Sequence, residues 1–570
     1  MKKLLTTRIE DLLIPVLKTI SPGGAEGGRP QVQFTRDHRL GDLQTNAAMT
    51  QAKALGKNPR ELAAQIIEAL GPGGRFPAPL ESAEAAGPGF INFRLTPQAA
   101  LELLAGAVEE GDGREGPVIL IDYSSPNIAK RMHIGHLRST ILGDSLKRIF
   151  RYLGFRVIGD NHLGDWGTQF GKLITAYRLW LDEGAYRENP IEELERLYVK
   201  FEKESGKSEG LLEEARRELK KLQDGDPENR ALWKQYVDLS LEEYDKIYRR
   251  LGVSFDTCRG ESYYHDRMSG VVKELTEKGL ARQSEGALVV FFDDEKLHPC
   301  LVQKNDGAYL YATSDLACLQ SREEEYAPER IIYVTDDRQI PHFQQVFRIA
   351  ALLGWKGRPV HVPFGVMKFM EGHFSSRLGN VIYLSRLLDE AEKRAYQIVD
   401  EKNPALGEDE KKEVARAVGL GAVKYFDLSQ NRSSDIIFDW DKVLSFDGNT
   451  APYLQYVYAR IASLLRKAGD GPENPPTVPP EGPEEGEKKL IHLMLQFPQA
   501  VFQGAESYRP NLISDYLFDL SQAFNYFYNA FPILKALGEQ RDFRLFLCRQ
   551  TGRIIKTGLN LLGIETLERM

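Results

Sequence analysis

The sequence predicts an α/β protein, with a doubly wound parallel-sheet domain at its centre, an α+β unit before it and an all-helical bundle after it. Three observations carry this. VILIDY (118–123) is a short, continuously apolar, β-branched run, the pattern of a strand buried on both faces. After a loop, GHLRSTILGDSLKRIFRYLG (135–154) repeats its apolar residues at helical spacing and ends on a capping glycine. RVIGD (156–160) then opens a second strand, and strand, loop, helix, strand is how a doubly wound sheet begins.

Residues 1–108 read as a first unit, with an amphipathic opening helix in MKKLLTTRIEDLLIPVLKTI and a second helix in ELAAQIIEAL (61–70). Arg8, Glu10 and Asp11 interrupt the start before a secretory apolar stretch can develop. The glycine-rich GGAEGG (23–28) reads as a surface loop. The central domain spans 109–385, with a charged, helical insertion at about 175–255. Strand-like runs at ALVVFF (287–292), AYLYAT (308–313), RIIYVT (330–335) and PVHVPFG (359–365) are expected to complete its sheet. Residues 386–450 form a helical region and 451–570 a helical bundle, interrupted by a linker, GPENPPTVPPEGPEEGE (471–487).

With 570 residues the chain exceeds what one core organises, which fits several units. No apolar run approaches the ~18 residues of a membrane span. Cys258, Cys300, Cys318 and Cys548 are scattered and form no CxxC pair, so a reducing cytoplasm fits and a structural metal does not. A net charge of −8 excludes a uniformly basic coat for nucleic acid but leaves room for one basic face.

Chemistry concentrates in SSPNIAKRMHIGH (124–136), at a strand-to-helix junction where backbone N–H groups and the positive helix end suit a polyphosphate. His133 and His136 lie three apart and can both donate to phosphate oxygens, while Gly135 leaves room for an adenine ring. This segment resembles the HIGH motif of class I aminoacyl-tRNA synthetases. NHLGDWGTQFG, LGVSFDTCRGES, GAYLYATSDLA, YVTDDRQIPHF and DLSQNRSSDIIFDWDKVLSFDGNTAPYLQYVYARI are similar to arginyl-tRNA synthetases, in that family's order. The likeness runs from GDLQTNAA (41–48) to the final GLNLLGIETLERM. A small-molecule nucleotidyltransferase could carry the histidines but would need no helical half. A non-catalytic, tRNA-binding adaptor is a second alternative, opposed by the intact HIGH region.

The resemblance implies a Rossmann-type, HUP-like catalytic domain, an N-terminal tRNA-contacting domain and a C-terminal anticodon-binding bundle, with 386–450 touching the tRNA stem. It implies an arginine–tRNA ligase that makes arginyl-adenylate from ATP and transfers arginine to the 2′-OH of the terminal adenosine. A buried guanidinium needs planar carboxylates for its forked donors. The resemblance assigns Asp122 and Asp315 to it, with Tyr311 alongside and Asn127 and Gln339 at the α-amino end. ATP falls to His133, Gly135 and His136, and to the second signature at MEGHFSSRLGNV (370–381), where His373, Ser375, Ser376 and Arg377 stand and both usual lysines are missing. Lys130 then becomes the compensating charge. Mg²⁺ is expected with ATP, without dedicated ligands. Tyr453, Tyr456 and Arg460, together with Tyr458, offer stacking faces and a cation to the anticodon loop. A cytoplasmic monomer is expected, meeting its tRNA at the anticodon loop, outer corner and acceptor end.

Overall fold

The computed structural model describes residues 3–20, 29–111, 116–293, 297–369, 382–479 and 481–570. They form two units, Met1–Gly111 with Phe446–Asn560 and Glu565–Met570, and Asp112–Ser445 with Leu561–Ile564.

The first unit opens with α1 (Leu5–Ile20), whose Ile9, Leu13 and Leu17 recur every four residues and are buried. β1 (Val32–Phe34), β2 (Leu43–Thr45), α2 (Ala47–Leu55), α3 (Pro59–Leu70), β3 (Leu80–Ala86), β4 (Phe90–Leu95) and α4 (Pro97–Ala105) follow. Their strands pair antiparallel in the order β1-β2-β4-β3, as the expected α+β unit. Asn58 caps α3 and Pro59 occupies its first turn, where a missing N–H costs nothing.

The second unit begins with β5 (Val118–Asp122), α5 (Ile134–Tyr152) and β6 (Arg156–Asn161), the expected strand, helix and strand. Ile119, Leu120 and Ile121 are wholly buried, as a central parallel strand requires. Helices α6 (Thr168–Trp180), α7 (Glu183–Glu188), α8 (Pro190–Ser205), α9 (Glu209–Gln223) and α10 (Pro227–Leu251) make up the insertion. It is less peripheral than its charge suggests, because Tyr244 and Tyr248 on one face of α10 are buried against the sheet's loops.

β7 (Thr257–Cys258), α11 (Met268–Glu277), β8 (Ala281–Ser284), β9 (Ala287–Val290), β10 (Cys300–Gln303), α12 (Tyr311–Tyr326), β11 (Arg330–Tyr333), α13 (Ile340–Leu353) and β12 (Pro359–His361) continue the chain. The main sheet is parallel in the order β12-β11-β5-β6-β7, so strand order reverses at β5 and opens a crevice at the carboxyl ends of β5 and β11.

Two of the four expected later strands join this sheet, and two do not. ALVVFF supplies β9 of a separate antiparallel sheet, β10-β9-β8. AYLYAT is no strand: Tyr309 bridges to Gln303, and helix α12 starts at Tyr311. Its short apolar run is taken up by a longer helical stripe, with Ala312, Leu316 and Ala317 packing on Leu288, Val290 and Val302.

β13 (Met367–Phe369), α14 (Leu384–Lys402), α15 (Glu408–Leu428), β14 (Ile436–Phe438) and α16 (Trp440–Val443) complete this unit, which runs to Ser445. Arg138 of α5 is buried with Asp427 of α15 and donates to the carbonyls of Gly365, Arg432 and Ser434.

The helical bundle comprises α17 (Ala451–Ala468), α18 (Glu485–Leu495), α19 (Phe497–Glu506), α20 (Asn511–Ala530) and α21 (Gly538–Leu561). It shares its unit with the N-terminal sheet: buried His492 of α18 lies with Nε2 3.0 Å from the carbonyl of Thr35. Among the described residues, no helix is long and apolar enough to cross a membrane.

Candidate active site at the carboxyl ends of the parallel strands

Between β5 and α5 the backbone adopts left-handed conformations at three non-glycine residues, Ser124 (φ 73°), Ser125 (φ 49°) and Ala129 (φ 61°). Such residues cost ~1–3 kcal/mol each and persist where the surroundings dictate them. Here Ser139 Oγ accepts from Ser124 N at 2.9 Å, Asn161 Oδ1 from Ser125 N at 3.1 Å, and Ser240 Oγ from Ala129 N at 2.9 Å. Tyr244 donates its hydroxyl to the carbonyls of Asn127 (2.6 Å) and Lys130 (2.8 Å). Ser240 and Tyr244 belong to the insertion, which therefore shapes this loop.

His133 caps α5. Its Nδ1 accepts from Gly135 N at 3.1 Å, and His136 Nδ1 accepts from His133 N at 3.1 Å. A neutral imidazole accepting at Nδ1 carries its proton on Nε2, so each ring has a donor left for a ligand. Burial, then the neighbouring His133, pushes His136 down to about 3, and burial lowers His133 as well. Gly135 has a further reason to be glycine, since a Cβ there would come within 2.8 Å of His133 Cε1.

Lys130 places its ammonium 4.7 Å from the centre of the Tyr198 ring. Beyond the second signature, Ile134 N donates to Ile382 O (3.1 Å) and Leu384 N to Met132 O (2.9 Å), which ties residues 382–384 to the backbone leading into the histidines. His373, Ser375, Ser376 and Arg377 lie outside the described residues.

The expected arginine ligands separate into two groups. Asp122, the last residue of β5, is buried in a bridge: one oxygen accepts from Arg322 Nη2 at 2.7 Å and the other from Ser125 Oγ at 2.8 Å. The same Nη2 reaches Asp160 at 2.5 Å. This carboxylate faces the chain's own guanidinium, 200 residues away in sequence. Asp315 sits on the first turns of α12, one helical turn after Tyr311, which is 73% exposed, and its carboxylate lies 2.5 Å from Nε2 of His342. With AYLYAT expected as a strand, Asp315 would have followed its end; it lies instead within this helix, because α12 starts at Tyr311. Gln339 ends a 3-10 turn at the start of α13. Asn127 is exposed and packs on Gly164, where a Cβ would meet its Oδ1 at 2.0 Å.

One carboxylate was missed by the sequence reading. Glu261, in the middle of the GES of LGVSFDTCRGES, is fixed by its neighbours. Ser262 donates its N–H (2.8 Å) and hydroxyl (2.6 Å) to Asp165, Gly260 leaves room for that carboxylate, and Glu261 N donates to Leu163 O at 3.0 Å. Burial, opposed by His162 and helped by Asp315 and Asp165, pushes the Glu261 carboxyl up to about 7. No arginine or lysine pairs with it among the described residues. A half-buried carboxyl that feels a second one and has no arginine or lysine beside it is an arrangement a guanidinium relieves.

In the helical bundle, Arg460 donates to Asn525 (2.9 Å) and to the hydroxyl of Tyr456 (3.2 Å), and lies 4.8 Å and 5.2 Å from the rings of Tyr456 and Tyr528. Tyr456, Arg460 and Tyr528, with the C-terminal Glu568, Arg569 and Met570, line a cavity of about 640 Å³. Tyr453 accepts from Asn525 at 2.9 Å, behind them, and Tyr458 is buried.

Comparison with known proteins gives the family. Residues 3–95 match the description "Arginyl tRNA synthetase N terminal domain", 102–440 "tRNA synthetases class I (R), catalytic domain", and 454–570 "DALR anticodon binding domain". An arginine–tRNA ligase of Fusobacterium nucleatum is 51% identical over 95% of this chain and 95% of its own. One from Chromobacterium violaceum is 42% identical over 97% and 98%. The crystal structure of arginyl-tRNA synthetase from Plasmodium falciparum superposes with a TM-score of 0.83 at 27% identity, covering 100% of this chain and 99% of that one. The Thermus thermophilus enzyme gives 0.82 at 26%, covering 100% of both. The parallel sheet with its histidine-capped helix, the helical anticodon domain and identity along nearly the whole chain converge: the chain belongs to the class I arginyl-tRNA synthetases, the ligases that use ATP to join arginine to its tRNA.

Proposed function

We propose that this arginine–tRNA ligase seats the substrate guanidinium between Asp315 and Glu261, with Tyr311 alongside and Asn127 and Gln339 at the α-amino group. His133 and His136 donate Nε2–H to ATP phosphates beside Gly135, and Lys130 brings positive charge to the departing pyrophosphate. Asp122 keeps Arg322 in this reading and shapes the floor of the site. Asp315, one helical turn after the exposed Tyr311 on α12, carries the assignment of the guanidinium pocket, and the raised Glu261 carboxyl supports it.

Neither chemical step needs a protein nucleophile. An arginine carboxylate oxygen attacks the α-phosphorus, its new P–O bond forming as the bond to pyrophosphate breaks. The terminal 2′-OH then attacks the activated carbonyl and AMP leaves. Positioning and charge stabilisation supply the rate. His133 and His136, neutral at pH 7, keep their Nδ1 acceptors tied to the backbone and so hold Nε2 as donor. Mg²⁺ would enter with ATP on phosphate oxygens and water. Ser375, Ser376 and Arg377 of the second signature remain assigned to ATP by resemblance.

On the tRNA, Tyr456 and Arg460 with Tyr528 receive anticodon bases by stacking, and Tyr453 supports them through Asn525. Residues 1–108 meet the outer corner and 386–450 the stem, leaving 109–385 for catalysis and 451–570 for the anticodon. A cytoplasmic monomer completes the reading.

The pocket is tested by pH. Glu261 is neutral below about 7 in the free enzyme, and a guanidinium needs its anion, so arginine binding strengthens as pH rises through 7 and levels off above. Between pH 7 and pH 5 the arginine KM should rise by up to about tenfold per unit. Glu261→Gln should hold the arginine KM near the wild type's low-pH value at every pH and so remove the step. A wild-type KM that stays flat from pH 5 to pH 8 removes Glu261 from the pocket.

The Lys130 assignment makes a separate demand. Lys130→Ala should lower the rate of adenylation by ~10²–10³ with arginine KM nearly unchanged, the loss typical of one preorganised electrostatic donor. Lys130→Arg should recover part of the rate. Pyrophosphate exchange above half the wild-type rate in Lys130→Ala would pass the role to another cation, with Arg377 the first to examine.

A further inference from the structure

We infer that helix α8 of the insertion is a positioning element of the ATP site, acting through Glu195 and Tyr198 on Arg131 and Lys130. The two α8 residues lie three apart, on one face of the helix, and touch the two consecutive residues that lead towards His133. Tyr198 offers its ring to the Lys130 ammonium. Glu195 uses both oxygens: one accepts from Arg131 Nε at 2.7 Å, the other from the Tyr383 hydroxyl at 3.3 Å. Arg131 lies with its guanidinium carbon 3.7 Å from the centre of the Tyr383 ring, and its Nη1 is 3.4 Å from Glu192.

These contacts close a circuit. Tyr383 is bridged through its backbone to His133, and Arg131 is two residues before it, so Glu195 holds both strands of that bridge from the side. The bridged backbone also fixes the imidazoles, since His133 N is the donor to His136 Nδ1. Arg131 and Glu195 each keep about a fifth of their side-chain surface exposed (22% and 21%), and an ion pair with such access to water adds little to stability. Its geometry is better explained by position: a planar guanidinium inserted between a ring and a carboxylate admits one arrangement, as an ammonium does not.

The inference rests on the assignment of His133 and His136 to ATP, and its test separates the two. In the full-length enzyme with its tRNA, Glu195→Gln and Glu195→Ala should raise the KM for ATP or lower the adenylation rate by roughly 5- to 50-fold, leaving arginine KM within about twofold. Arg131→Lys should recover little, because it keeps the charge and loses the stack. Tyr383→Phe added to Glu195→Gln should cost less than the two single effects combined, since both act through one arrangement. Wild-type ATP kinetics in Glu195→Ala, or a loss that scales arginine KM and melting temperature alike, overturns the inference. An inactive His136→Asn alongside that result would leave the ATP assignment standing, whereas an active His136→Asn would remove the assignment itself.

Discussion

Asp315→Asn should lower kcat/KM for arginine by roughly 30- to 3000-fold, the range expected when one partner of a desolvated charge pair is removed at ~2–5 kcal/mol. Asparagine keeps the size of the side chain and its place one turn after Tyr311, so the loss measures charge. The KM for ATP should stay near wild type, because the histidines lie on a different element. Citrulline, which has the shape of arginine without its cation, should compete better against arginine in the variant than in the parent enzyme. The resting partner of Asp315 matters less: His342→Ala removes a neighbour 2.5 Å away but leaves the carboxylate for the substrate. Aminoacylation across arginine concentrations checks this, and a kcat/KM within threefold of wild type would take Asp315 out of the pocket.

Arg322→Ala should produce the largest stability loss in the catalytic unit, about 3–5 kcal/mol, because two buried carboxylates would face each other without a cation. Arg322, Asp122 and Asp160 are each no more than 4% exposed. Both ion pairs come from Nη2, while Nε and Nη1 are buried without a hydrogen-bond partner among the described residues. The damage should therefore be partly repaired by neutralising the acids: Arg322→Met with Asp122→Asn and Asp160→Asn should be more stable than Arg322→Met alone. Urea denaturation followed by a probe in the parallel-sheet unit measures both. An unshifted midpoint for Arg322→Ala would mean that the bridge does not carry the floor of the site.

The two predictions also mark what the sequence could convey. VILIDY and the helix after it were legible because burial on both faces and a 3.6-residue period are local patterns, and His133, Gly135 and His136 lie inside them. The surroundings of Asp122 were not legible: an acid at a strand end gives no sign that Arg322 of α12, far along the chain, is folded beside it. Glu261 gains its meaning from Asp165, which fixes the GES turn, and from Asp315 on another helix, so no local pattern announces it. The insertion was legible as helical through its period. Its contribution to the site was not, since Tyr244, Ser240, Glu195 and Tyr198 sit in a stretch whose charge reads as a solvated face. AYLYAT failed because a short, nearly continuous apolar run fits either geometry, and packing on β9 and β10 decided for the helix.

The division of the chain also sets an order of assembly during synthesis. The first unit begins with Met1–Gly111, yet its helices α17 to α21 lie beyond Asp112–Ser445, so the part begun first is finished last. At bacterial and eukaryotic elongation rates of ~5–20 residues per second, the intervening stretch occupies about 20 to 70 seconds. Throughout that interval the N-terminal sheet has emerged without α18, whose His492 later meets the Thr35 carbonyl. The catalytic sheet has a shorter wait of the same kind: β5 finds β6 almost at once, but its other edge stays open until the whole insertion has been made and β11 arrives. A nascent chain arrested in the insertion would thus carry an unpaired central strand edge, the feature that most invites a neighbouring chain to pair wrongly.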